Sequence, residues 1–310
     1  MNQPKWLLPI TTIGLLTTIR LTLSFLRCLY VFFLRPPKNL KSYGSWAVVT
    51  GPTSGIGKAF SVELAKQGLN LLLIGRNPDK LSALSAALNS EFKVKTKTVL
   101  VDFSGDDLDG GVRRIEEAVV GLEVGVLINN AGVSDPTARM VHEVVGMEEM
   151  VRVNVEGATR VAKAVLVGMV KRGRGAVVNL GSGSSVVLPS HPYYALYAST
   201  KAYIDQFSRS LYVEYKQMGI DVQCQVPLYI ATKMAQKILL SDGQPSLFVP
   251  PPDVYARAAL RWIGYEPRCM PYFPHYLQWC LLRLLPDFLI NEWRCRIALS
   301  RRQHSQIDFT

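Results

Sequence analysis

A chain of 310 residues can bury one large core and still carry appended ends. Lys and Arg outnumber Asp and Glu by 35 to 24, and the formal charge of +11 suits nucleic acid, an anionic membrane or an anionic substrate without choosing among them. Nucleic acid fits worst, because the basic residues flank apolar segments instead of forming a stripe interleaved with aromatics.

Residues 6–34 are almost wholly apolar or hydroxylic, interrupted only by Arg20 and Arg27. Three readings compete for this segment. A cleaved signal peptide is disfavoured, since the basic residues lie inside and after the apolar run and no small-residue cleavage site is evident. A docked amphipathic helix is disfavoured because apolar side chains occupy nearly every face. A spanning helix needs about 20 apolar residues, and residues 6–26 supply them if Arg20 snorkels towards the headgroups. Arg27, Arg35, Lys38 and Lys41 all follow the run, so the positive-inside rule places the rest of the chain in the cytosol.

Pro36 and Pro37 end the apolar segment, and residues 1–43 read as a membrane anchor with a short basic linker. Runs of strand character recur at residues 45–50, 69–74, 96–101, 124–128, 175–180 and 220–226, with helical periodicity over 79–90, 147–171 and 197–218 between them. This alternation predicts an α/β fold, a doubly wound parallel sheet of Rossmann type forming one catalytic domain over residues 44–232. Residues 233–310 read as a substrate-covering insertion, with a helix over 253–263, followed by an apolar and basic stretch at 272–299. That stretch suits a membrane-surface helix, a subunit contact or core, with the membrane surface ranked first. The five cysteines, Cys28, Cys224, Cys269, Cys280 and Cys295, include no C-x-x-C pair and no histidine partner at zinc spacing, so no metal site is expected and the thiols are read as reduced.

Thr50-Gly51-Pro52-Thr53-Ser54-Gly55-Ile56-Gly57 follows the first strand and opens a helix through Ala59, Phe60, Val62 and Leu64. Glycines at 51, 55 and 57 permit a tight turn and close approach of the backbone to a pyrophosphate, which the helix N-terminus attracts. The alternative is a glycine-rich turn with no ligand, and the flanking strand and helix argue against it. At the end of the second strand an acidic residue would bind the ribose hydroxyls of NAD, but this chain has Gly75 and Arg76. Arg76 can pair with a 2′-phosphate, which predicts NADP(H). Asp102 ends the third strand beside the adenine position, and Asn129-Asn130-Ala131-Gly132 ends the fourth beside the ribose and nicotinamide.

Tyr197 and Lys201 stand at i and i+4, on one helical face. An adjacent ammonium is expected to stabilise the phenolate and lower the phenol pKa. Such a pair on its own is ordinary surface decoration. Its place after the fifth strand, where the ligand edge of the sheet is completed, makes it a candidate catalytic pair. The set T-G-x-x-x-G-I-G at 50–57, Asp102, N-N-A-G at 129–132, Asn154, a serine after the fifth strand and Y-x-x-x-K resembles the short-chain dehydrogenase/reductase family.

The resemblance covers residues 44–232 and implies a tetrad. Tyr197 is the general acid, Lys201 the pKa modulator and ribose ligand, Ser182 a hydrogen bond to the substrate carbonyl, and Asn154 the holder of a relay water. It also implies that Pro227, Ile230 and Thr232 form the nicotinamide loop. Ser184 lies 13 residues before the tyrosine, as in many relatives, but counting from the strand end selects Ser182. Gly125, Asp221, Gln223 and Leu228 depart from the family pattern, and His191 reads as a linker histidine.

Residues 33–40, 43–46, 121–127 and 219–233 resemble the membrane-bound very-long-chain 3-oxoacyl-CoA reductases of plants and the related microsomal 17β-hydroxysteroid dehydrogenases. This resemblance implies NADPH-dependent reduction of 3-oxoacyl-CoA in fatty-acid elongation at the endoplasmic reticulum membrane. A condensing enzyme, a dehydratase and an enoyl reductase would be partners, and a homodimer is one open state. A 17β-hydroxysteroid or sterol ketone reductase is the rival activity, and a non-catalytic scaffold of an elongation complex is the rival class.

Overall fold

The structure, a computed structural model, describes residues 6–238 and 244–307. It divides into two compact units, Met1–Pro37 and Lys38–Thr310.

In the first unit, helix α1 (Leu7–Leu29) runs on through a wide π turn at Tyr30–Leu34. Pro36, which has no N–H to donate, follows the end of the helix. The combined Leu7–Leu34 stretch has a mean hydropathy of 1.5, and it is long and apolar enough to cross a bilayer. Three of its hydroxyls are satisfied internally: Thr11 donates to the Leu7 carbonyl at 2.9 Å, Thr12 to Leu8 at 2.8 Å and Thr18 to Gly14 at 2.9 Å. Threonines bonded in this way carry little desolvation penalty in lipid.

The second unit is built on β1 (Trp46–Thr50), α2 (Gly55–Lys66), β2 (Asn70–Gly75), α3 (Pro78–Phe92), β3 (Thr96–Leu100), α4 (Leu108–Val119) and β4 (Val124–Asn129). It continues through α5 (Met147–Val151), α6 (Ala158–Arg172), β5 (Gly175–Leu180), α7 (Gly183–Val186), α8 (Ala195–Lys216), β6 (Ile220–Gln225) and α9 (Lys233–Ile238). The last elements are α10 (Pro252–Leu260), β7 (Arg268–Cys269), α11 (Phe273–Leu282) and α12 (Asp287–Ile307). The seven strands pair in parallel in the order β3-β2-β1-β4-β5-β6-β7, so the strand order reverses between β1 and β4. In such a sheet ligands bind at the carboxyl ends of the strands beside that reversal.

Strands buried on both faces explain the continuous apolar runs of the sequence. Phe60 and Leu64 of α2, Leu81 and Leu84 of α3, and Tyr255 and Ala259 of α10 cover one face. Val112 and Ile115 of α4, Val161, Val165 and Met169 of α6, and Leu211 of α8 cover the other. Local caps fix the helix starts. The Asn77 side chain accepts from the Lys80 N–H ahead of Pro78 in α3, and Asp107 accepts from the Gly110 N–H in α4.

The expected helix over 147–171 is interrupted by a π-helical segment at Arg152–Gly157, and the apolar stretch at 272–299 is split in two around Pro286. Two departures from the family pattern share one cause. A Cβ on Gly125 would stand 2.3 Å from the Gly44 nitrogen, so the 43–44 segment needs glycine there. Asp221 receives the Tyr43 hydroxyl at 2.5 Å, Lys38 at 3.0 Å and Lys216 at 2.6 Å. Both replacements therefore seat the segment that enters the sheet.

Candidate active site

The carboxyl ends of the strands open into a cavity of about 1110 Å³ that reaches from the Gly51 turn to Arg294 on α12. At one end, Gly51 and Gly55 take φ of +63° and +52°, where a side chain would be strained. A Cβ on Gly57 would lie 2.2 Å from the Gly51 carbonyl, so the turn closes only with glycine. Thr53, Ser54, Gly55 and Ile56 line the cavity at the start of α2, where unpaired backbone N–H groups and the helix dipole suit a pyrophosphate.

Arg76 lines the same end beside Asp102. Partial burial raises the Asp102 carboxyl, but hydrogen bonds from Ser104 and the nearby Arg76 charge outweigh it and hold the pKa below its usual value. Lys80 also lines this end and was not singled out from the sequence. Arg76 and Lys80 together form a cationic corner with the chemistry a 2′-phosphate needs. Gly132, Pro227, Ile230 and Thr232 line the middle of the cavity with Ala131. The donor set and the glycine cradle thus fit a phosphorylated dinucleotide.

Thr50, Gly57 and Asn129, all expected as cofactor contacts, do not line the cavity. Thr50 Oγ1 accepts from the backbone N–H groups of Asn130 and Ala131, each at 2.9 Å, tying the end of β1 to the end of β4. Asn129 donates to the Ala158 carbonyl at 2.7 Å and to Asn179 Oδ1 at 3.1 Å, locking β4 to α6 and β5. Both side chains face inward because a strand end alternates its sides, and the next residue, Asn130, is the one that reaches the cavity.

Tyr197 and Lys201 project from α8, one turn apart, with the Lys201 ammonium 5.9 Å from the centre of the Tyr197 ring. Lys201 donates to the Leu180 carbonyl at 2.9 Å, and burial pushes its pKa down to about 8. The phenol does not follow the expectation of a lowered pKa. Burial raises it above its usual value against a weaker opposing hydrogen bond from Ser182, while the ammonium spends its hydrogen bond on Leu180.

Ser182 caps α7 and lines the cavity with its hydroxyl beside the phenol of Tyr197. Ser184, largely buried, also lines the cavity and donates to Ser182 Oγ at 3.0 Å. Asn154 sits in the π-helical segment, where its Oδ1 accepts from the Val133 N–H at 2.8 Å. Its Nδ2 donates to the Val133 carbonyl at 2.8 Å and to Thr200 Oγ1 at 3.0 Å. Both of its side-chain N–H groups are therefore committed, so the relay water expected at Asn154 would be held by one of its oxygens.

Two histidines join the site. His275 is fully buried; its Nδ1 accepts from the Leu228 N–H at 3.3 Å and its Nε2 lies 3.2 Å from the Phe248 carbonyl. It pins the loop after β6, and burial pushes its pKa down to about 4. His191, read as a linker residue, lines the cavity beside Tyr229 and Arg294. Among the described residues no group of three or more His, Cys, Asp or Glu side chains is placed to hold a metal ion.

A parallel sheet reversing between β1 and β4, a glycine cradle at that reversal and a Tyr-Lys pair beside a strand-end serine together define a nucleotide-dependent oxidoreductase. The short chain dehydrogenase family pattern matches residues 45–242, and the chain belongs to that family. It is 51% identical over 308 residues to a very-long-chain 3-oxoacyl-CoA reductase-like protein of Arabidopsis thaliana, covering 98% of this chain and 97% of the relative. It is 36% identical over 265 residues to the Homo sapiens very-long-chain 3-oxoacyl-CoA reductase, covering 84% and 82% of the two chains. Among solved structures, a short-chain dehydrogenase from Sphingobium yanoikuyae in complex with NADPH is similar with a TM-score of 0.66 and 28% identity, over 77% of this chain and 92% of that one.

Proposed function

We propose that this chain is an NADPH-dependent reductase of 3-oxoacyl-CoA that serves very-long-chain fatty-acid elongation. The observation that carries the reading is the cavity, in which a cofactor cradle with a cationic corner runs into a Tyr197–Ser182 pair and then into an apolar wall of Leu228, Leu281, Leu282 and Trp293. Similarity to very-long-chain 3-oxoacyl-CoA reductases over nearly the full chain supports it.

The bound cofactor supplies a hydride to the 3-oxo carbon. Ser182 donates a hydrogen bond to the carbonyl oxygen and fixes its position, and Tyr197 delivers the proton to that oxygen. Lys201 holds the ribose and restores the Tyr197 proton, and Asn154 braces the Val133 backbone and α8 so that these groups stay aligned. Ser184 orients Ser182 through its hydroxyl.

In this reading residues 1–43 anchor the enzyme in the endoplasmic reticulum membrane, residues 44–232 form the catalytic domain and residues 233–310 cover the substrate. The basic residues after α1 set the catalytic unit in the cytosol. Leu284, Leu285, Phe288 and Leu289 are exposed around the α11–α12 junction, next to cavity-lining Leu281 and Trp293, which suits a mouth resting on lipid. The condensing enzyme, dehydratase and enoyl reductase of elongation are its partners, with a homodimer as one assembly state. The purified full chain oxidising NADPH with 3-oxostearoyl-CoA tests the reading. Turnover of ketosteroids with none of the acyl-CoA would replace it with the steroid activity, and an inert wild type would leave a scaffold.

A further inference from the structure

The far wall of the cavity holds a cationic cluster that the tetrad does not use. Arg294 and Arg301 are seven residues apart on α12, two turns along one face. Arg294 is only 5% exposed, lines the cavity, and places a terminal nitrogen 2.6 Å from His191 Nε2. Arg301 donates to the Tyr229 hydroxyl oxygen at 3.3 Å with its guanidinium carbon 5.9 Å from the ring centre, and Arg294 lies close enough to favour the phenolate of Tyr229. The Nε atoms of both arginines and Nδ1 of His191 are buried and have no hydrogen-bond partner.

Among the described residues neither arginine forms a salt bridge, whereas the next residue, Arg302, is paired to Glu143. A buried cation with neither a counter-ion nor a full set of acceptors is costly, and a ligand oxygen that accepts from it lowers that cost. His191 cannot supply the missing charge. Burial first, and then the two arginines, push its pKa down to about 3, so the ring is neutral. Its Nε2 accepts from Arg294, which leaves the proton on Nδ1 as one more unpartnered donor. Tyr229 accepts from Arg301, and the two arginines can only donate to it, so its own O–H is free to donate. Tyr229 also lies close enough to Tyr197 to influence it electrostatically.

The cavity therefore presents two neighbouring donor sets, Tyr197 with Ser182 and Tyr229 with Arg294. A plain ketone has one oxygen to offer, while a 3-oxoacyl thioester has two, on carbons separated by a single methylene. We propose that Tyr229 and Arg294 seat the thioester carbonyl oxygen of the substrate while its 3-oxo oxygen lies on Tyr197 and Ser182. This rests on the 3-oxoacyl-CoA reading above, and it makes the second donor set the device that selects 1,3-dicarbonyl thioesters over isolated ketones. His191 is a positioning residue in this account, holding Arg294 through its Nε2.

The test compares the wild type with Arg294→Gln, Arg294→Lys and Tyr229→Phe in the full-length enzyme. The readouts are KM for 3-oxostearoyl-CoA and inhibition constants for two analogues without CoA phosphates: the stearoyl thioester of N-acetylcysteamine, and the matching thioether, which lacks the carbonyl oxygen. Arg294→Gln is expected to weaken the thioester by about 10- to 100-fold, the scale of a hydrogen bond to a charged group, and the thioether at least tenfold less. Tyr229→Phe, which removes one hydroxyl and keeps the ring, shows a smaller effect of the same pattern, and Arg294→Lys recovers part of the loss.

Equal weakening of thioester and thioether, or of neither, overturns the proposal. A loss confined to the CoA ester also overturns it, since the arginine would then hold a CoA phosphate. A wild type inert towards 3-oxostearoyl-CoA removes the functional reading together with this one. An active wild type with flat analogue constants in Arg294→Gln removes this one alone.

Discussion

The hydroxyl of Ser182 stands against the phenol of Tyr197, and Ser184, which lines the same cavity, donates to Ser182 Oγ at 3.0 Å. The two serines therefore have separable effects. Ser182→Ala removes a donor at the developing oxyanion and is expected to lower kcat by about 10²- to 10³-fold. Ser184→Ala loosens its orientation and costs less than about tenfold, as for one neutral hydrogen bond. Steady-state kinetics of both variants decide the assignment, and near-wild-type turnover in Ser182→Ala contradicts it.

Arg76 faces the cavity at the end of β2, with Lys80 in the first turn of α3. Arg76→Ala is expected to raise KM for NADPH by about 10- to 100-fold, the scale of a charge-assisted contact, and to change KM for NADH far less. Lys80→Ala shows the same direction with a smaller size, as expected for a point charge at the edge of the site. Equal losses with the two cofactors would show that Arg76 supports the fold and not the 2′-phosphate.

His275 gives the fold an acid limit. Its pKa is pushed from 6.5 to about 4 by burial, and the rings of Tyr255 and Tyr272 that pack on it bring no charge. Between those two values the unfolded chain binds a proton that the folded chain refuses, so stability falls as pH drops from 6.5 towards 4. The full effect is about 3 kcal/mol. Thermal melts at pH 7.5, 5.5 and 4.5 are expected to show His275→Gln less stable than wild type at neutral pH but less sensitive to acid. A parallel decline of the two proteins would contradict this.

Much of this architecture is legible in the residues, because strands buried on both faces must be apolar throughout. The run at 175–180 is the observed strand Gly175–Leu180. Helix α4 escapes such reading because Gly110-Gly111 looks like a breaker, although the Asp107 cap and the burial of Val112 and Ile115 hold it helical. Strand β7 has two residues, too few for any pattern, and exists because β6 offers it an edge. The π-helical turn that carries Asn154 is hidden by the apolar Val153 and Val155, which suit an ordinary helix equally well.

The site divides along the same line. Its cofactor and tetrad residues lie within motifs, where spacing carries the chemistry. The Arg294 cluster does not: Arg301 meets Tyr229 across 72 residues and Arg294 meets His191 across 103, and no local pattern encodes such pairs. The raised pKa of Tyr197 was equally hidden, since spacing brings Lys201 near but only the fold shows its hydrogen bond going to Leu180.

The central claim is that Tyr197 protonates the 3-oxo group of a fatty acyl-CoA while NADPH reduces it. It is tested most directly by following NADPH oxidation by the purified full-length protein with 3-oxostearoyl-CoA, for wild type and Tyr197→Phe. The account predicts robust wild-type turnover, reduced by about 10²- to 10⁴-fold in the variant, as expected for loss of a general acid. Undiminished turnover in Tyr197→Phe, or a wild type that reduces ketosteroids and leaves the acyl-CoA untouched, would contradict it.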